Sequence, residues 1–207
     1  MTDLVNIVHP YSYKMLREGD GLTLVGGMIE EFRKRDENVA NFVRTALDLD
    51  IKVLRYDFPP KESFEYALQK ATVSLCPLYR SVFFDERIIG FDTLDTGKPM
   101  LDKKPKEIDK KSWDKFNGLF ISDSKLRELI GKPDRTFYIG GFFEACVKNM
   151  AYHQKKNYTS NKKVFCIEEL CASTNDEKTR EIREGLKKDG VRIITYEEAM
   201  ELLHESI

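Results

Sequence analysis

No stretch of this chain approaches the roughly 18 consecutive apolar residues that a membrane-crossing helix requires. Charge of one sign is also missing. With 34 basic and 35 acidic residues the formal net charge is −1, so no global field draws nucleic acid or an anionic membrane surface to it. Cysteine is scarce: Cys76, Cys146, Cys166 and Cys171 are the four in 207 residues. They lack the close pairs of a zinc site and are too sparse for a disulfide scaffold, which makes them reduced thiols. The three histidines, His9, His153 and His204, are isolated from one another, and no metal site is expected. Met1 to Pro10 has a short apolar run without a basic leader, so the sequence predicts no signal peptide and a cytoplasmic protein. Nucleotide signatures are absent too. Gly19-Asp20-Gly21 followed by Gly26-Gly27 lacks Gly-x-Gly-x-x-Gly spacing at a strand end, no phosphate-binding Gly-x-x-x-x-Gly-Lys occurs, and no cofactor is expected. Partners are then small molecules or proteins.

What is present is an alternation of strand and helix patterns. Residues 1–207 read as a single domain, long enough to bury about 70% of the unfolded surface. Leu4 to Val8 is a first strand ending in His9-Pro10. Met28 to Leu49 has helical spacing, with Ile29, Phe32, Val39, Phe42, Val43 and Leu47 along one stripe. Ile51 to Tyr56 is a second strand stopped by Pro59-Pro60, and Glu62 to Gln69 is a short helix. Phe83 to Phe91 contains a strand that is either a third parallel strand or a hairpin insertion, with Asp85-Glu86 as a turn. Ser122 or Asp123 caps a helix to about Ile130. After the strand Thr136 to Ile139, the units Lys163–Glu168 with Asn175–Lys188, and Val191–Thr195 with Tyr196–Glu205, repeat the plan. Such alternation predicts a three-layer α/β/α sandwich with a mainly parallel sheet.

The chemistry is organised around Gly140-Gly141-Phe142-Phe143-Glu144-Ala145-Cys146-Val147. The glycine pair breaks the apolar strand, and Phe142 to Tyr158 continues with helical spacing, so Cys146 stands near a helix start. Unclaimed N–H groups and the positive end of the macrodipole favour a thiolate there, and could receive an acyl-transfer oxyanion. A buried structural cysteine is the plainer alternative. His153 is no partner for it: seven residues along the same helix separate the two by about 10 Å, beyond hydrogen-bond reach.

Three stretches together resemble the isochorismatase-like cysteine hydrolases. Gly140 to Cys146 has the spacing of their nucleophile turn. Lys110-Lys111-Ser112-Trp113-Asp114-Lys115-Phe116 is similar to their lysine segment, with an aromatic three residues and a phenylalanine six residues after the lysine. Val164 to Ala172 and then Val191 to Glu198 are similar to their late strand, acidic turn and closing helix. The resemblance covers about the last hundred residues.

That resemblance implies a doubly wound sheet of order 3-2-1-4-5-6. It also implies Cys146 as nucleophile, Lys110 (Lys111 if the segment is offset by one) as charge stabiliser, and the N–H groups of Ala145 and Cys146 as oxyanion hole. A strained, commonly cis bond falls at Gly141-Phe142, and Phe143, Trp113 and Phe116 line the substrate pocket. The family's catalytic aspartate falls at His9, where imidazole would have to serve as base. In a sheet of that order the first strand adjoins the strand before Cys146, so His9 and Cys146 would meet at the switch point. Some nicotinamidase members carry a metal-binding Asp-x-His after the second strand; here the segment is Tyr56-Asp57-Phe58-Pro59. Three readings stay open: a hydrolase of a small amide or imide-like substrate working through a thioester, an inactive relative binding a small ligand or protein in the old pocket, or an unrelated α/β protein. His9, Phe142 and Phe143, the last where threonine is common, favour the second. The family's habit and the supply of 13 Phe and 9 Tyr predict a homo-oligomer.

Overall fold

Two adjacent strands are buried along their whole length, β1 (Asp3–Val8) and β4 (Arg135–Gly140). A strand buried on both sides is the mark of a parallel sheet covered by helices on each face. The computed structural model describes residues 1–8, 27–57, 82, 85–92, 123–141, 143–157, 163–173 and 176–205. Besides β1 and β4 these contain β2 (Lys52–Asp57), β3 (Ile89–Asp92), β5 (Lys163–Cys171) and β6 (Val191–Ile194). All neighbours pair parallel, in the order β3-β2-β1-β4-β5-β6. The helices are α1 (Gly27–Asp48), α2 (Asp123–Ile130), α3 (Lys148–Asn157), α4 (Asp176–Lys188) and α5 (Tyr196–His204). Among the described residues, no helix is long and apolar enough to cross a membrane.

Side chains alternate across each strand, and the alternation sorts the core into two layers. Val5, Ile7, Val53, Phe137, Ile139, Phe165 and Ile167 point to one face, under α1 and α5. There Phe137 stacks on Phe165 at 5.2 Å between centroids and meets the edge of Phe42 at 6.0 Å. Leu4, Val8, Leu54, Tyr56, Tyr138, Val164 and Cys166 point to the other, under α2, α3 and α4. This is the expected three-layer sandwich and strand order.

Helix α1 buries Val39, Phe42, Val43, Ala46 and Leu47, the i, i+3, i+4 spacing of a core-facing stripe. It also buries Arg35 and Asp36, which are joined through the Arg35 Nε and Nη2 donors to Asp36 Oδ1. Within the stretch expected to hold a strand, Phe83 to Phe91, the described residues from Asp85 on form a turn followed by β3, a parallel strand. Asp85 Oδ1 accepts the backbone N–H of Arg87 at 2.9 Å, and the Arg87 guanidinium reaches the Leu47 carbonyl at the end of α1. Helix α5 opens on a capping box: Thr195 Oγ1 accepts the Glu198 N–H while Glu198 Oε2 accepts the Thr195 N–H.

Two elements depart from the sequence reading. β5 runs three residues past the expected end, because its pairing with β4 slips: Tyr138 opposes Cys166, yet Gly140 opposes Cys171. The helix expected from Phe142 instead begins with a π-helical turn, Phe143–Val147, before α3. Apolar spacing does not separate a π-turn from an α-turn over five residues. The short helix expected at Glu62–Gln69 lies outside the described residues.

Candidate functional site

The C-terminal ends of β1 and β4 meet more closely than any residue with a Cβ would permit. Gly140 has φ +122°, and a Cβ built on it would stand 2.1 Å from the Val8 carbonyl oxygen. The following Gly141 N–H donates to that same oxygen at 2.6 Å. The chain after β4 is tied equally to β5: Ala172 N–H donates to the Gly140 carbonyl at 2.9 Å, and Phe143 N–H to the Ala172 carbonyl at 2.7 Å. These bonds aim the π-turn over the rim of the sheet at the point where the strand order reverses, where open α/β sheets bind their ligands.

Within the turn the residues separate sharply. Phe143 is fully buried in the layer that holds Met150 and Val164, and Cys146 and Val147 join it there. Cys146 is 6% exposed, and Ala145 faces solvent. A helix's own ladder leaves its first N–H groups unclaimed. Here that of Phe143 donates to the Ala172 carbonyl. Glu144 is buried, and its Oε1 accepts O–H donors from Thr179 at 2.9 Å and from Ser173.

The other described thiols are chemically quiet. Burial pushes Cys171 up to about 12, and pushes Cys166 well above the ordinary thiol range. The Cys171 thiol donates to the Ile167 carbonyl at 3.3 Å. Among the described residues no group of His, Cys, Asp and Glu side chains could hold a metal ion. The segment after β2 has no histidine beside Asp57, so the Asp-x-His donor set has no counterpart there.

Of the residues singled out from sequence, Gly141, Phe143, Ala145 and Cys146 lie together on this turn. His9, Lys110, Trp113, Phe116 and Phe142 lie outside the described residues. Val8, the last described residue before His9, opposes Gly140 in the β1–β4 register. Sequence reasoning passed over Glu144 with Ser173 and Thr179, and also the Arg35–Asp36 pair. The only signal was an acidic residue in the turn before a cysteine, which alone reads as a favourable charge at a helix start. It also missed a cleft of about 630 Å³ over the ends of β5 and β6, whose walls include Glu169, Ser173, Thr179, Arg180 and Arg183.

No family model matches the chain, and no curated protein matches its sequence. Solved structures do. A putative MAR1 ribonuclease from Leishmania major superposes with a TM-score of 0.60 at 12% identity, covering 99% of this chain and 83% of that one. Pyrazinamidase of Pyrococcus horikoshii, solved in complex with zinc, gives 0.58 at 16% identity, covering 94% and 99%. N-carbamoylsarcosine amidase from Thermoplasma acidophilum gives 0.56 at 12% identity, covering 95% and 97%. The chain shares their fold, and at 12 to 16% identity the likeness is one of fold alone.

Proposed function

We propose that this divergent bearer of the isochorismatase-like fold is a cysteine hydrolase acting on a small amide or imide-like substrate. The observation that carries the reading is the placement of Cys146. It stands in the first turn of a helix, directly after β4, on a rim that Gly140 brings into contact with the end of β1.

In this reading the Cys146 sulfur, having given its proton to His9, attacks the substrate carbonyl carbon. The carbonyl oxygen becomes an oxyanion held by the N–H groups of Ala145 and Cys146, and Lys110 balances the charge. Collapse of the intermediate breaks the C–N bond, the His9 proton leaves with the amine, and a thioester remains. Water, deprotonated by His9, then adds to the thioester carbonyl and releases the acid and the thiol. No cofactor takes part. Trp113 and Phe116 line the pocket, Phe143, expected there too, is instead buried in the core, and Gly141-Phe142 is the strained turn. The amide-cleaving names of two structural neighbours support the reaction class, and the balanced charge of the chain argues against an RNA substrate.

A second reading, a binder of a small ligand or a protein partner without turnover, is favoured by the low exposure of the Cys146 side chain. The deciding experiment is the pH dependence of iodoacetamide labelling, read by peptide mass spectrometry. Cys146 should label below neutral pH and faster than Cys76, Cys166 and Cys171, and His9→Ala and Lys110→Ala should each slow it. Assays for ammonia release from small carboxamides such as pyrazinamide then separate turnover from binding. If Cys146 labels no faster than the other thiols, hydrolysis is excluded and only the fold remains.

A further inference from the structure

A carboxylate removed from water must be compensated by hydrogen bonds or opposite charge, and Glu144 is 5% exposed. Its compensation comes from two places at once. Ser173 lies just beyond β5 and Thr179 in the first turn of α4, and both donate to the one oxygen Oε1. The two hydroxyl oxygens are themselves 2.8 Å apart. Three elements, the π-turn, the end of β5 and the start of α4, are therefore joined at a single atom two residues before Cys146.

The turn needs such a fastening. Its entry is fixed by the backbone bonds of Gly141 to Val8 and of Phe143 to Ala172, and its exit by Met150 and Ala151 of α3 in the core. Between them lies a π-turn, whose wider i→i+5 bonds hold the backbone less tightly than an α-turn, and which recurs at functional sites. We propose that Glu144 is a positioning residue for Cys146: its carboxylate clamps the π-turn to β5 and α4, so that the thiol and the N–H groups around it keep their aim at the rim. The proposal rests on the cysteine-hydrolase reading. Other charges reach this corner, since Arg35 of α1 and Glu168 of β5 act on Cys171 together with Glu144. Glu168 is in turn bound by Arg183 of α4.

The test separates hydrogen bonding from charge. Glu144→Gln keeps an acceptor oxygen of the same shape and removes the charge; Glu144→Ala removes both. Each is labelled with iodoacetamide from pH 5 to 9, and the midpoint of Cys146 labelling is read by peptide mass spectrometry, beside the melting temperature. The clamp predicts that Glu144→Ala has a midpoint roughly half to one pH unit above that of Glu144→Gln, the size of a lost helix-terminus interaction. Ser173→Ala, a milder cut that leaves the Thr179 donor, should move the midpoint in the same direction by less. A merely structural glutamate would change the melting temperature and the labelling rate at every pH without separating the two midpoints. A wild-type midpoint in the ordinary thiol range, about 8.5, removes the hydrolase reading beneath the proposal. A low wild-type midpoint with equal midpoints for Gln and Ala overturns the clamp alone.

Discussion

Gly140 and Val8 approach so closely that the missing Cβ of one would overlap the carbonyl oxygen of the other, at 2.1 Å. Both partners are backbone in the two central strands, so no flexible side chain can give way. Gly140→Ala would also place a side chain at φ +122°, a region closed to L residues. We expect this substitution to cost on the order of 4 kcal/mol or more, lowering the melting temperature by roughly 10 °C in a domain of this size. Differential scanning calorimetry checks it. A melting temperature within a degree of wild type would show that β1 and β4 are not joined at this point.

At the opposite end of the same two strands, Arg135 donates to Asp3 through Nε at 2.9 Å and Nη2 at 2.8 Å, and to Glu205 through Nη1 at 3.0 Å. The two acids are not equivalent. Asp3 is buried with Arg135, whereas the Glu205 side chain is 61% exposed. Removing one member of a buried pair strands the other charge and costs about 3–5 kcal/mol; an exposed ion pair contributes about 1 kcal/mol or less. Asp3→Ala should therefore destabilise severalfold more than Glu205→Ala in urea unfolding. Equal losses would mean that the buried pair is not what fastens the strand starts.

The parallel pairing and the helices on both faces were legible because they follow from apolar runs and from helix stripes such as Val39, Phe42, Val43 and Leu47, whereas the strand order came only from the family resemblance. The same signals failed where geometry departs from a regular repeat. The slip between Tyr138 and Gly140 lets β5 continue to Cys171, and no periodicity announces a slip. Cys146 was visible through the glycine pair that ends its strand. Glu144 was not, because its meaning depends on Ser173 and Thr179, which come near it only when β5 and α4 fold back across the turn.

Association is the next expectation. Aromatic side chains are enriched in protein interfaces, and the chain carries 13 Phe and 9 Tyr. Gel filtration with light scattering at micromolar concentration should give a mass at least twice the 24.1 kDa of one chain. A single species of one-chain mass, unchanged on raising the concentration, would exclude self-association under those conditions.

The buried thiols set the response of the fold to alkali. Cys171 holds its proton to about 12 in the folded chain, against an ordinary value of 9.0, and Cys166 is shifted in the same direction, both chiefly through burial. A group whose folded pKa is raised stabilises fully below its unfolded pKa. As pH climbs past about 9 the unfolded chain loses these protons while the folded chain keeps them, so stability falls between pH 9.0 and about 12 for Cys171. The loss is at most about 1.4 kcal/mol per pH unit for each thiol. Tyrosines and lysines titrate in the same range, and a reference variant separates them. Under reducing conditions, the urea midpoint of wild type should fall faster with pH, from 8 to 11, than that of the double variant Cys166→Ala, Cys171→Ala. The variant starts lower because it leaves small cavities, and the gap narrows as alkali removes what the thiols contributed. Parallel curves would show that these thiols are not buried as protonated groups on β5.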